Sequence, residues 1–135
     1  MTDRPTAAEL VDAVHHLLET EVVPALTDAR LRFQTLVAAN VLAIVGRELA
    51  TTDADLRLAR EKLTAILGIT DPPPQPGEWP AAVQQLNEAL CRRIRAGEYD
   101  DPVRFLELLN QLRPLVVRKL EIANPRFLAA YRPLP

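Results

Sequence analysis

The sequence predicts an all-α fold: a single-domain bundle of about five helices. Three observations carry that prediction. Apolar residues recur at helical spacing along nearly the whole chain, and nowhere is there the alternation that marks a strand. Capping signals and breakers (Thr6 with Glu9, Pro24, Gly68, Gly97, and the pair Asn124–Pro125) divide that pattern into helix-length pieces. The 135 residues are 48% hydrophobic and 25% charged but only 4% aromatic, so any core must be built from Leu, Val, Ile and Ala.

The first helix is expected over 6–23. Thr6 and Glu9 form a capping box, each side chain satisfying a free backbone N–H, and Leu10, Val11, Val14, Leu17 and Leu18 make an apolar stripe. Pro24 should end it. Thr27 or Asp28 can cap a second helix over 28–50. Its apolar side chains point in almost every direction: Leu31, Leu42 and Leu49 one way, Phe33, Leu36, Val37 and Ile44 another. A helix apolar all round belongs in the centre of a bundle, so this is the expected central helix.

Thr52 with Asp55 suggests a new cap and a third helix over 53–67. Leu56, Leu63, Ile66 and Leu67 face inward, and Gly68 is the stop. The segment 69–79 holds four prolines and reads as a semi-rigid extended connector, which Trp79 clamps down. Pro80 opens a fourth helix over 80–96. Asp101 and Pro102 open a fifth over 102–123, with Phe105, Leu108, Leu109 and Leu112 inward and a kink at Pro114. The tail after Asn124–Pro125 is expected to pack back irregularly.

Composition excludes several function classes. Net charge is −2 and the pI about 5.7, which disfavours nucleic-acid binding. Residues 63–70 resemble the start of a helix-turn-helix, but the prolines that follow forbid a recognition helix. The chain contains no serine, and its four glycines are not clustered, which removes serine-hydrolase chemistry and phosphate-cradling loops. The one cysteine, Cys91, lies with Val83, Leu90 and Ile94 and is expected to be a buried core residue rather than a nucleophile.

His15 and His16 lie near Asp12 and Glu19 without Glu-x-x-His spacing, so they read as a solvated helix edge, and no metal or cofactor is expected. Residues 73–76 match a minimal PxxP pattern, for which a rigid connector is the simpler reading. The N-terminus lacks the apolar core of a signal peptide, and Asn, Arg or Glu interrupt the longest apolar stretches. The expectation is a cytoplasmic protein that engages neither membrane nor nucleic acid.

Polar residues centred on apolar stripes are the candidate site. On an ideal helix Phe33, Leu36, Val37 and Ile44 lie about 20°, −40°, 60° and 40° from Asn40, and Arg47 lies about −20° from it. Asn87 stands likewise among Val83, Leu90, Cys91 and Ile94, and Lys119 among Leu112, Leu115, Val116 and Ile122. Buried polar groups need partners, so Asn40, Arg47, Glu48, Asn87 and Lys119 are expected to form one interior cluster, with Glu48 as the acid for Lys119. Such a cluster either fixes helix register or lines a pocket for an acyl-CoA or other anion.

Four blocks, RPTAAEL (4–10), RFQTLVAANVLAIVGREL (32–49), LNEALCRRIRAGEYD (86–100) and KLEIANPRFL (119–128), resemble a family of short bacterial proteins classified as a domain of unknown function. The chain departs from that pattern at Gly46, where a charged residue is expected, and at Phe127, where Tyr is usual. The blocks include the five candidates together with Arg95, Asn124 and Arg126. The resemblance implies no activity, but it does imply a metabolic setting, because family members are often encoded beside acyl-CoA dehydrogenases and aminoglycoside-phosphotransferase-like kinases. The resulting expectation is a non-catalytic accessory protein whose partner is a second copy of itself or one of those enzymes. The alternative is a small-molecule-binding bundle.

Overall fold

The structure, a computed structural model, describes residues 4–131. The all-α prediction holds, and no strand occurs among the described residues. The helices are α1 (Ala7–Leu17), α2 (Val23–Ala25), α3 (Ala29–Leu67), α4 (Trp79–Arg95), α5 (Pro102–Ala123) and α6 (Pro125–Ala130).

Most boundaries fall where local chemistry puts them. The Thr6–Glu9 capping box forms, with Thr6 N–H donating to Glu9 at 2.7 Å and Glu9 N–H to Thr6 at 3.3 Å. Asp28 caps α3 by accepting from Leu31 N–H at 2.8 Å. Asp101 caps α5 by accepting from the N–H groups of Val103 and Arg104. Gly68 (φ 68°) and Gly97 (φ 83°) follow the ends of α3 and α4 in the left-handed conformation that Gly adopts without a Cβ penalty.

Three boundaries differ from expectation. A π-helical turn, Leu18–Val22, joins α1 to α2, with Val23 N–H donating to the Leu18 carbonyl. This wider turn accommodates Pro24 inside α2, so the first helical segment runs on to Ala25 instead of stopping at Pro24. The second correction is larger: there is no break at 50–53, and α3 is one helix of 39 residues. Thr51 and Thr52 do not cap. Their hydroxyls donate back to the carbonyls of Arg47 and Glu48, at 3.0 and 2.7 Å, and the ladder continues. Third, residues after Asn124 are helical (α6) rather than irregular, with the Phe127 and Tyr131 rings stacked at 5.9 Å. The fifth helix has the bounds expected of it, Pro102–Ala123, with Pro114 inside.

The chain divides into two compact units, Met1–Thr52 with Ile122–Asn124, and Asp53–Glu121 with Pro125–Pro135. In the first, α1 and the start of α3 form an antiparallel hairpin. His15 meets the Ala39 carbonyl, and Val11 lies against Gly46, where a Cβ would be 3.6 Å from Val11 Cγ1. Moving back along α1 thus moves forward along α3. Gly46 and Ala39 are small residues on the contact line, so the backbones approach closely. Arg47 Nε donates to the Ile122 carbonyl at 2.7 Å and holds 122–124 in this unit.

The hairpin is nonetheless thin. Val23 and Ala39 are the only buried residues among its described positions. The expected central helix is therefore corrected: residues 29–52 are not surrounded, and Leu31, Phe33, Leu36, Val37, Val41 and Leu49 are all exposed. By length and composition α3 passes the test for a membrane-crossing helix, a test that core helices of soluble proteins also pass.

The second unit has the core. Leu63, Leu67, Val83, Leu90 and Leu108 are buried together, and Leu56, Leu86, Leu112 and Leu115 pack around them. Each such burial contributes about 1.5–3 kcal/mol. Arg93 Nη1 donates to the Leu67 carbonyl and satisfies one of the free groups at the end of α3. The proline segment has neither helix nor strand from 69 to 78, as expected, and it turns at 76–77, where Glu78 N–H donates to the Gln75 carbonyl at 3.0 Å. Arg60 ties it down through the carbonyls of Asp71 and Pro72 (2.7 and 3.0 Å), and the guanidinium groups of Arg57 and Arg60 lie over the Trp79 ring at 5.7 and 6.0 Å.

Candidate functional site

The five candidate residues do not form an interior cluster. No polar or charged residue is buried among the described residues, and Asn40, Glu48, Asn87 and Lys119 are exposed. Asn40 makes no hydrogen bond to a described residue, and neither Glu48 nor Lys119 has an ion pair among them. Arg47 is half-buried, its Nε on the Ile122 carbonyl. Asn40, Arg47 and Glu48 belong to the first unit, Asn87 and Lys119 to the second.

Each misplacement has a geometric cause. For α4 the buried side includes Trp79, Ala82, Leu86 and Arg93 as well as Val83 and Leu90. That moves the centre of the face about 80° away from Asn87, leaving Asn87 and Cys91 outside. Cys91, expected in the core, is exposed. On α5, Leu108 is buried while Phe105 and Leu109, expected inward, are exposed. The residue that finds an acid on that helix is Arg118 rather than Lys119. Arg118 Nε donates to Asp55 and Nη1 to Glu121 at 2.6 Å. These two hydrogen bonds, Asp55 first, hold the guanidinium more firmly charged than usual. Asp55 is available because α3 passes straight through it, whereas a helix cap would have spent its carboxylate on backbone N–H groups.

Two surface features remain with chemical potential. One is an open face of α4 made by Pro80, Val83, Gln84, Asn87, Glu88, Cys91, Arg92 and Arg95, bordering a space of about 540 Å³. Of the five candidates, Asn87 alone lines it. Arg92 and Arg95 bring two cations to it. The other is apolar and more extensive. In the first unit Leu10, Val14 and Leu17 on α1 and Leu31, Val45 and Leu49 on α3 are each between 36% and 53% exposed. In the second, Val103, Leu106, Leu109 and Val116 are exposed on one side of α5, with Arg113 among them. The signal for these surfaces was present in the sequence as a helix apolar all round, a pattern that reads equally as burial.

No group of three or more His, Cys, Asp and Glu side chains arranged to hold a metal occurs among the described residues. His15 instead makes structural contacts: Nδ1 lies 2.8 Å from the Ala39 carbonyl and Nε2 3.2 Å from Glu19.

The fold and these surfaces define an all-α helical protein with unpartnered apolar helix faces. The chain belongs to the family described as Domain of unknown function (DUF6285), whose model matches residues 24–127. No curated protein and no solved structure matches the chain.

Proposed function

We propose that this chain is a non-catalytic interaction protein that works through its exposed helix faces, in the service of an enzyme of acyl-CoA metabolism. The observation that carries the reading is the amount of large apolar side chain left uncovered in both units. Monomeric soluble proteins rarely leave such contiguous apolar surface unless something docks on it. The metabolic link rests on the gene neighbourhoods that the sequence resemblance implies. The side of α5 that carries Val103, Leu106, Leu109 and Val116 is the surface we assign to the enzyme.

The test uses purified proteins. The chain is mixed with an acyl-CoA dehydrogenase, and separately with an aminoglycoside-phosphotransferase-like kinase, the two kinds of enzyme the resemblance implies, and complex formation is measured by calorimetry. Binding to one of them that Leu106→Glu abolishes is the expected result. Absence of binding to both contradicts the reading.

A second reading has its own observation. Asn87, Arg92 and Arg95 share one face of α4 with a single acid, Glu88, and two guanidinium groups with a carboxamide suit the phosphates of a coenzyme A ester or a similar anion. Saturation at 100 times the dissociation constant would add about 2.7 kcal/mol of stability. A thermal-shift series with coenzyme A, acyl-CoAs and inorganic phosphate decides this: no shift with any of them removes this face from consideration.

A further inference from the structure

We infer that the hairpin of α1 and α3 docks face to face on the same hairpin of a second copy of this chain, completing a four-helix layer pair. This rests on reading the chain as an interaction protein and names the partner of one of its surfaces.

The face is defined by two contacts. His15 on Ala39 and Val11 on Gly46 fix which sides of the helices meet. Measured from that contact line on an ideal helix, Leu31, Ala38, Val45 and Leu49 turn about 80–120° to one side of α3. Leu10, Val14 and Leu17 turn about 100–160° from His15, the partner of Ala39 on α1, in the same rotational sense. In an antiparallel pair those two turns fall on the same side of the hairpin. Both helices therefore contribute to one continuous face, and the six large apolar side chains on it are all about half exposed. Asn40 and Arg47 lie on the opposite side.

Three features select a second copy as the occupant. The hairpin is a single helical layer with two buried residues, and a helical layer needs another to bury its apolar stripe. An identical hairpin supplies an equal stripe on two helices in the geometry of a four-helix bundle. The area agrees as well. The exposed parts of these side chains come to on the order of 500 Å² per copy, so a symmetric pair reaches about the 1,000 Å² total that a specific interface needs.

Charge is the third feature. No Lys, Arg, Asp or Glu stands among Leu10, Val14, Leu17, Leu31, Ala38, Val45 and Leu49, so two-fold pairing brings no like charges together. The charged side chains of the hairpin helices lie off this face: Glu9 and Asp12 on α1, and Arg30, Arg32, Arg47 and Glu48 on α3.

Sedimentation equilibrium on the full chain, with no enzyme present, tests the inference. The wild type is expected to be a dimer over the micromolar range. Leu17→Glu and Leu49→Glu, each placing two charges in the interface, should weaken it at least about 100-fold. Circular dichroism should be unchanged, because both side chains are exposed in the single chain. Leu106→Glu, in the other unit, should remain dimeric and lose only enzyme binding, which separates failure of this inference from failure of the interaction reading.

A monomeric wild type overturns the proposal, as does a dimer that both hairpin variants leave intact. Binding of a monomer to vesicles of phosphatidylglycerol and phosphatidylethanolamine, lost in the same variants, would also overturn it and assign the face to a membrane.

Discussion

His15 Nδ1 lies 2.8 Å from the carbonyl oxygen of Ala39, the one buried residue in the first half of α3. The carbonyl only accepts, so Nδ1 carries the proton and donates it. This is a polar tie in a hairpin with little core, and it sits on the contact line that sets which faces of α1 and α3 remain outside. Replacing His15 with Ala should cost about 1 kcal/mol, the usual net worth of such a bond, seen as a lower midpoint in urea. An unchanged midpoint would mean that the tie contributes nothing.

Gly46 meets Val11 on the same line. A Cβ there stands at ordinary van der Waals distance, and mid-helix Gly is about 1 kcal/mol less favourable than Ala. Gly46→Ala should therefore stabilise the chain by about 0.5–1 kcal/mol, whereas Gly46→Leu should push the helices apart and destabilise it. Thermal unfolding of the two variants checks both signs.

The continuity of α3 has a sharp test at Asp53. If a new helix began after Thr52, residue 53 would be its first position, where Pro is favoured. In one unbroken helix the same Pro removes a ladder hydrogen bond and clashes with the preceding turn, at about 3 kcal/mol. Asp53→Pro is accordingly expected to be strongly destabilising in chemical denaturation. A neutral effect would restore the two-helix reading.

The second unit should respond to Leu63, which is 1% exposed at the middle of its core. Leu63→Ala should cost about 2–5 kcal/mol through lost burial and the cavity left behind. Exposed Leu109→Ala, by contrast, should stay within about 0.5 kcal/mol in the isolated chain.

Arg118 bridges Asp55 and Glu121 at a partly exposed position. Arg118→Ala should lower the melting temperature at low salt, with the difference shrinking as ionic strength rises and screens the pair. A difference independent of salt would assign the loss to packing of the arginine stem.

Much of this fold was legible because its determinants are local. The Thr6–Glu9 box, the Asp28 and Asp101 caps, the stops at Gly68 and Gly97 and the proline connector each follow from a few neighbouring residues. The errors arose where local chemistry is ambiguous. Thr52 and Asp55 fit an N-cap, but the same threonine hydroxyls can bond back to the helix, and nothing nearby breaks it. The stripe around Asn87 was centred on Val83, Leu90 and Ile94. Trp79 and Leu86 decide the true face, and they only do so once the core of Leu63, Leu67 and Leu108 is assembled. Asn40 reads as buried because its neighbours are apolar, yet three of them, Phe33, Leu36 and Val37, are themselves exposed. An apolar pattern specifies that a surface wants cover without naming the chain that covers it.

The central claim is that the Leu10–Leu17 and Leu31–Leu49 stripes are docking surfaces, and residue-level hydroxyl-radical footprinting across a dilution series tests it most directly. The account predicts that Leu10, Leu17, Leu31 and Leu49 lose reactivity together as protein concentration rises, while Phe33 on the other side of the hairpin does not. Reactivities at these four leucines that stay constant from the most dilute to the most concentrated sample would contradict it.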